Sequence, residues 1–394
     1  MPAPPPLPSL DEAPARIDVR LLSLPTKRTL ATAHDNGPAP ARELVVVGVE
    51  TADGVLGWGE CSALNAPTYT HEWAADSFDR LSAWAKGAAA PDRLQFPMAA
   101  AAIEMASADG ALRQAGQSLA DHLGTTARGT TAGATIGLAD VASSVAQAER
   151  LVAEGYRKLK IKIDPSQVDD VAHELSHVFG GGAQHRHDQH SHDDQHSHDD
   201  QHSHGDGAPI ELHVDANGSL AADHLMALLG LTWHGVSAIE QPFAVDRPDL
   251  AAELMLGTEA IVVADEAATS TGDVQRLHQQ SAMRAVAIKP PRLGGIGPAV
   301  ELLHWCRTNG VDALIGGMLE CGLGRHALAA IAALEGFTVT GDLSPARQWL
   351  AEDPWPDVEM VDGSIIVPAS PGIAPLPDAT TLDDFTIRRL DHRI

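Results

Sequence analysis

Three acids recur in this chain at a constant interval. Asp215, Glu240 and Asp265 stand 25 residues apart, and each closes an apolar run: ELHVD, SAIE and VVAD. Lysines flank the row, with Lys160 and Lys162 before it and Lys289 24 residues after Asp265. Gathered in one place, three carboxylates lose hydration and repel one another, so they call for a cation. Hard oxygen ligands on rigid strands suit Mg²⁺ first and Mn²⁺ second. An amine beside such an ion is surrounded by positive charge, which lowers its pKa and makes a neutral base available near neutral pH. Metal, carboxylates and lysines together point to removal of a proton α to a carboxylate. The ion would stabilise the resulting enediolate while a lysine collects the proton. A single strand-end acid is as easily a salt bridge or a helix N-cap. Three at one interval, between lysines, favour a shared ion.

The interval is that of a repeating β/α unit. Apolar, β-rich runs occur at 134–138, 159–163, 210–215, 236–240, 261–265, 285–289, 313–317 and 337–341, with helical patterns such as 141–154 and 297–309 between them. Eight such strands and seven helices predict an α/β fold, a parallel (β/α)7β TIM-like barrel. One step is out of line: Lys162 to Asp215 is 53 residues, and removing the 27 residues of 181–207 restores 26. That stretch reads as an insertion.

Strand C-terminal ends face a common pocket in such a barrel. Side chains alternate along a strand, so Lys158, Lys160 and Lys162 share one face, while Leu159, Ile161 and Ile163 point to the helices. Lys162, nearest the strand end, is the expected base. Lys289, four strands on, approaches from the opposite side. Lys158, deepest, reads as a structural, ion-paired lysine. Further expected pocket residues are Thr135, with its hydroxyl, Asn217 just past Asp215, and Gly316, Gly317 and Met318 at the end of strand seven. Glycines there let a substrate approach the backbone, or bind a phosphate as barrels often do at this place. Glu320 reads as orienting its neighbours, and Cys321 as packing.

Around the barrel, residues 1–16 read as a flexible leader. Residues 17–125 read as an α+β capping domain with strands at 17–22, 44–50 and 55–60, a turn at Ala52-Asp53-Gly54, and helices at 98–115 and 118–123. The barrel spans 126–342. The segment 343–394, with a hairpin at 359–367, is expected to pack back on the capping domain. Residues 25–42 read as a lid.

The chain has 394 residues, is 44% hydrophobic and carries a formal charge of −26. So acidic a chain offers no general footprint for nucleic acid or an anionic membrane. No run of 18 apolar residues suggests a membrane span, and the Pro-rich start lacks a signal-peptide pattern. Three distant cysteines fit a reducing cytoplasm. The partner expected is a small carboxylate; a homo-oligomer is left open. Of the 20 histidines, eight lie between His185 and His204, where DQHSHD repeats. A metal-storage or chaperone role is one reading of that tract. The other is a solvated loop grown by repeat expansion, binding Zn²⁺ or Ni²⁺ adventitiously. Lying between a barrel helix and strand three, it is expected on the face opposite the active site.

The motifs resemble the enolase superfamily, in its muconate-cycloisomerase-like subgroup, over nearly the whole chain. GYRKLKIKI carries that subgroup's Lys-x-Lys, followed in family order by DAN (215–217), IEQP (239–242), ADE (264–266) and IKP (288–290). In the first section, GWGE (57–60) and AAIEMA (101–106) are also similar. PTYTHE (67–72), GGMLECGLGR (316–325) and GDLSPARQWLAED (341–353) resemble o-succinylbenzoate synthases and N-acylamino-acid racemases. The resemblance implies a capped barrel and a Mg²⁺-dependent dehydration in menaquinone biosynthesis. Lys162 would be the base, with Asp215, Glu240 and Asp265 as metal ligands and Lys160 beside the base. Lys289 would stabilise the enediolate or, in a racemase, act as second base. No Asp-x-Asp of the dipeptide epimerases occurs at 316–320, Ala108-Asp109 replaces the family's Trp-Asp, and the histidine insertion is not a family feature.

Overall fold

The computed structural model describes residues 5–27, 41–168, 174, 210–233 and 235–394. The histidine tract 181–207, residues 28–40 of the expected lid and most of the helical stretch before the tract lie outside the described residues.

Valine- and leucine-rich segments make the first sheet. β1 (Arg16–Pro25), β2 (Ala41–Glu50) and β3 (Leu56–Cys61) are antiparallel, with Val19 opposite Val47 and Val47 opposite Gly59. α1 (Ala74–Ala85), α2 (Pro97–Ala115) and α3 (Leu119–His122) follow. α2 crosses β3 so closely that a Cβ on Gly57 or Gly59 would lie 2.2 or 2.0 Å from a backbone oxygen of α2, so only glycine fits there. The described part of the leader is docked here. The Leu10 N–H donates to Ser107 Oγ at 3.0 Å, and Leu7 and Leu10 pack on the apolar clusters. The apolar leucines explain why a stretch expected to be flexible is held.

After β4 (Gly129–Thr131), the barrel begins with β5 (Gly133–Ile136), α4 (Val141–Ala153) and β6 (Lys158–Lys162). It continues with β7 (Glu211–Asp215), α5 (Leu225–Trp233), β8 (Val236–Glu240), α6 (Pro248–Gly257) and β9 (Ile261–Ala264). Next come α7 (Thr271–Gln279), β10 (Ala285–Ile288), α8 (Pro290–Leu293), α9 (Ile296–Asn309), β11 (Asp312–Ile315) and α10 (Gly322–Ala332). β5 to β11 form one parallel sheet in chain order, and every strand is almost wholly buried, as α/β packing on two faces requires. One half of its interior is apolar, with Ala238, Val263, Ala285, Ala287 and Leu314. The other half holds Lys158, Lys160 and His213, all buried.

The eighth run, 337–341, is not a regular strand, yet the chain fills that place. Thr338 and Val339 both donate to the Ala313 carbonyl (3.0 and 3.2 Å), Asp342 to Ile315 (3.2 Å), and Gly133 of β5 donates to Leu343 (3.0 Å). Two successive amides sharing one acceptor break the ladder, so the ring closes between β11 and β5 through irregular backbone. Beyond it, β12 (Met360–Val361) and β13 (Ser364–Ile366) form the expected hairpin, which pairs with β4. α11 (Ala379–Asp384) leads to β14 (Thr386–Arg393), which pairs with β1 in the first sheet.

Candidate active site

Register brings the predicted residues together. Lys162, Asp215 and Glu240 are paired in line across β6, β7 and β8, so their side chains leave the sheet on one face at one level. Asp265 and Lys289 come one residue past β9 and β10. All five are buried or nearly so.

The lysines lie between the acids. Lys162 Nζ donates to Asp215 Oδ2 at 2.7 Å and to Asn217 Oδ1 at 2.8 Å. Lys160 Nζ donates to Glu240 Oε1 at 2.8 Å, lies 3.4 Å from Asp215 Oδ2, and also pairs with Asp342. On the far side of the row, Lys289 Nζ donates to Asp265 Oδ2 at 2.7 Å, and Arg292 donates to Asp265 Oδ1 at 2.7 Å. Lys158 is fully buried and ion-paired with Asp342, as its depth on the strand suggests.

These contacts set the electrostatics. Burial opposes ionisation of Asp215, but Lys162 and Lys160 outweigh it and hold the carboxyl below its ordinary range. Asp265 is held low in the same way by Arg292 and Lys289. Glu240 goes the other way. Burial, reinforced by Asp215, Asp342 and Asp265 and only partly offset by Lys160, pushes it up to about 8. The lowered pKa expected of Lys160 and Lys162 is that of a site holding a divalent ion; under the protein's own charges alone, Lys160 and Lys289 stand high. Burial does act to lower them, but for Lys160 the charges of Asp342, Glu240 and Asp215, and for Lys289 that of Asp265, outweigh it and hold both ammonium groups above their usual value. Asp342, a fourth acid that pairs with Lys158 and Lys160, is the first of these charges on Lys160.

The donors suit a hard divalent ion. Among the described residues, no three His, Cys, Asp or Glu side chains form a ready-made cage, because lysine amines sit between the acids. Glu240 Oε2, however, is buried with no hydrogen-bond partner. An orphaned carboxylate oxygen beside two further carboxylates is what an ion on Asp215, Glu240 and Asp265 would satisfy.

The remaining predicted residues divide. Thr135 pairs beside Lys160 across β5 and β6 and is buried. Asn217, in the left-handed region at φ 46°, bridges Lys162 to Glu266 through Nδ2 at 3.0 Å. Gly316 makes room for Lys289: a Cβ there would lie 2.9 Å from the lysine's Cγ and Cε. At Gly317 a Cβ would meet Glu320 Oε2 at 2.8 Å. A carboxylate at that spot argues against a phosphate cradle. The Met318 side chain packs against the core of the first sheet, and Tyr69, which lies within electrostatic reach of Lys289 and Asp265, donates to its sulfur at 3.2 Å. Glu320 is buried and accepts from the Met318 N–H at 2.5 Å. Cys321 is buried and reduced.

Sequence reasoning missed Gln241, Glu266, Arg292 and Asp342. Gln241, strained at φ 35°, accepts from the Asp265 and Ala267 amides at 3.0 and 3.1 Å and so fixes the acid after β9. Three of the four adjoin or closely follow predicted residues, within IEQP, ADE and IKPPR. Reading alternate strand positions passes over them. Asp342 follows the irregular eighth run directly, where a search for strand-end acids would have found it.

The model of the enolase C-terminal domain-like family matches residues 143–379. An o-succinylbenzoate synthase of Geobacillus stearothermophilus is 30% identical over 95% of this chain and 96% of its own. An N-succinylamino acid racemase of Amycolatopsis sp. is 28% identical over 95% and 98%. A solved enolase-superfamily member from Listeria innocua shares the fold with a TM-score of 0.81, covering 97% of this chain and 99% of its own at 24% identity.

Proposed function

Because the chain belongs to the enolase superfamily, we propose that it is a cytoplasmic o-succinylbenzoate synthase, acting on a succinyl-bearing hydroxycyclohexadiene carboxylate in menaquinone biosynthesis. The carrying observation is the pair of amines, Lys162 and Lys289, each 2.7 Å from an end member of one acid row and on opposite sides of it. Asp215, Glu240 and Asp265 would hold Mg²⁺, with Mn²⁺ as substitute. When bound, the ion supplies the positive charge that makes the α-proton acidic and stabilises the enediolate. Lys162 removes the α-proton. Its ammonium then returns that proton to the departing hydroxyl on the same face, so that water leaves by syn elimination and the ring becomes aromatic. Lys160, beside Lys162, would touch the substrate carboxylate. Lys289 stabilises the developing charge from the other face. Thr135, Asn217, Gly316, Gly317, Met318 and Glu320 complete the pocket wall. Residues 17–125 and the tail 343–394 would form the cap and 126–342 the barrel.

A second reading, N-succinylamino acid racemase, is favoured by the same pair of lysines, since two opposed bases are what racemisation requires, and by the racemase relative. The test is a paired assay of the purified protein with Mg²⁺: dehydration of the cyclohexadiene carboxylate against racemisation of N-succinylamino acids. Dehydration by the wild type, lost in Lys162→Ala, supports the synthase. Racemisation without dehydration supports the second reading.

A further inference from the structure

Two buried, charged side chains of the first sheet reach the loop that follows β11. Glu60, on β3, accepts on Oε2 from the Gly324 N–H at 3.0 Å and from Cys321 Sγ at 3.1 Å, while Ser62 donates to Oε1 at 2.9 Å. Among the described residues, Arg42, at the start of β2, has no carboxylate partner within bonding distance. It spends its guanidinium on carbonyls instead, those of Glu43 (2.5 Å) in β2, of Ser62 (2.7 Å) and Ala63 (2.7 Å) just past β3, and of Met318 (3.0 Å) and Leu319 (3.2 Å) in the loop. Leu319 sits in the left-handed region at φ 59°, a conformation a leucine keeps only when its surroundings hold it. The same loop begins at Gly316, whose missing Cβ leaves the space that the Lys289 stem fills.

We propose that Glu60 and Arg42 are positioning residues for the Lys289 face of the site, acting through the 316–324 segment. Among the described residues neither group forms an ion pair with this loop, although the charge of its Glu320 acts on both. Their contacts instead define where its backbone lies: Arg42 at the tip, Glu60 at its end. Lys289 packs against the first residue of that span, whereas Lys162 rests on Asp215 and Asn217, far along the ring from it. Loosening the loop therefore disturbs one lysine and spares the other. A displacement of about 1 Å at a reacting group is enough for a loss of about 10²-fold.

The inference rests on the second reading above, in which Lys162 and Lys289 are the two bases, and its test separates the two. Solvent deuterium exchange into the α-position of each enantiomer of an N-succinylamino acid reports each base separately. Glu60→Ala should cut exchange from the Lys289 face by about 10- to 100-fold, with the Lys162 face within about 3-fold of wild type. The isosteric Glu60→Gln, which keeps an acceptor for Gly324, should restore it. Gly324→Ala, whose methyl would sit 2.6 Å from Glu320 Cβ and 2.8 Å from Glu60 Oε2 and so displace the same segment, should reproduce the loss, and serves if Glu60→Ala does not fold. Amide hydrogen exchange across 316–324, which needs no turnover, should rise in Glu60→Ala and Gly324→Ala but not in Glu60→Gln. Equal loss on both faces, or unchanged exchange of the segment, overturns the proposal. A wild type that exchanges neither enantiomer, with the segment still loosened by Glu60→Ala, counts against the two-base reading instead.

Discussion

Replacing Glu60 by Gln changes how stability depends on pH, by an amount the structure sets. Burial is the main cause that pushes the Glu60 carboxyl from 4.5 up to about 7, with the Glu320 charge adding to it and Arg42 opposing. The side chain has no solvent exposure, so solvent screening does not discount the effect. Between pH 4.5 and 7 the folded protein binds this proton and the unfolded chain does not. A raised folded pKa therefore gives stability that is complete below 4.5 and is lost as the pH rises through 7. With those two values, linkage puts the cost of ionising Glu60 at about 1 kcal/mol at pH 5 and about 3 kcal/mol at pH 8. Gln carries no such cost and keeps the acceptor for Gly324 and Cys321. Denaturant unfolding of both proteins at pH 5 and pH 8 should show the Glu60→Gln protein gaining about 2 kcal/mol on wild type between the two pH values. A stability difference that is the same at both would mean that the proton on Glu60 does not change on folding, and would refute this reasoning.

Asp342→Ala leaves Lys158 and Lys160 buried without their shared counter-ion, which should cost about 3–5 kcal/mol in denaturant unfolding; adding Lys158→Met should recover part of it. Deleting 181–207 should leave kcat and KM unchanged, because the insertion joins the barrel at the entry end of β7 while Asp215 stands at its exit, and should abolish Zn²⁺ or Ni²⁺ retention by the protein. Chelation of divalent ions should remove turnover and Mg²⁺ should restore it, while far-ultraviolet circular dichroism stays the same.

Much of the fold was legible because a parallel barrel repeats itself. Most strands between 133 and 315 are short runs rich in apolar residues; the 25-residue step from Asp215 to Glu240 survives in register, and Lys162 joins that line across the insertion. The eighth strand was harder. Its run is apolar enough, but its hydrogen bonds are shared unevenly, and no sequence pattern reports that two amides will meet one carbonyl. The acid row and its lysines were visible by type and spacing. Asp342 was passed over because it follows the eighth run instead of closing it, and its charge joins those of Glu240 and Asp215 in holding Lys160 high. The docking of residues 5–15 depends on Leu7 and Leu10 finding a surface that only the folded helices supply.

The central claim is that Lys162 takes an α-proton at the acid row. Its most direct test is turnover of the succinyl-bearing cyclohexadiene carboxylate by wild type and Lys162→Ala with saturating Mg²⁺. The account predicts dehydration by the wild type and a loss of at least about 10³-fold in the variant, in keeping with removal of a general base. Dehydration by Lys162→Ala at the wild-type rate would contradict it.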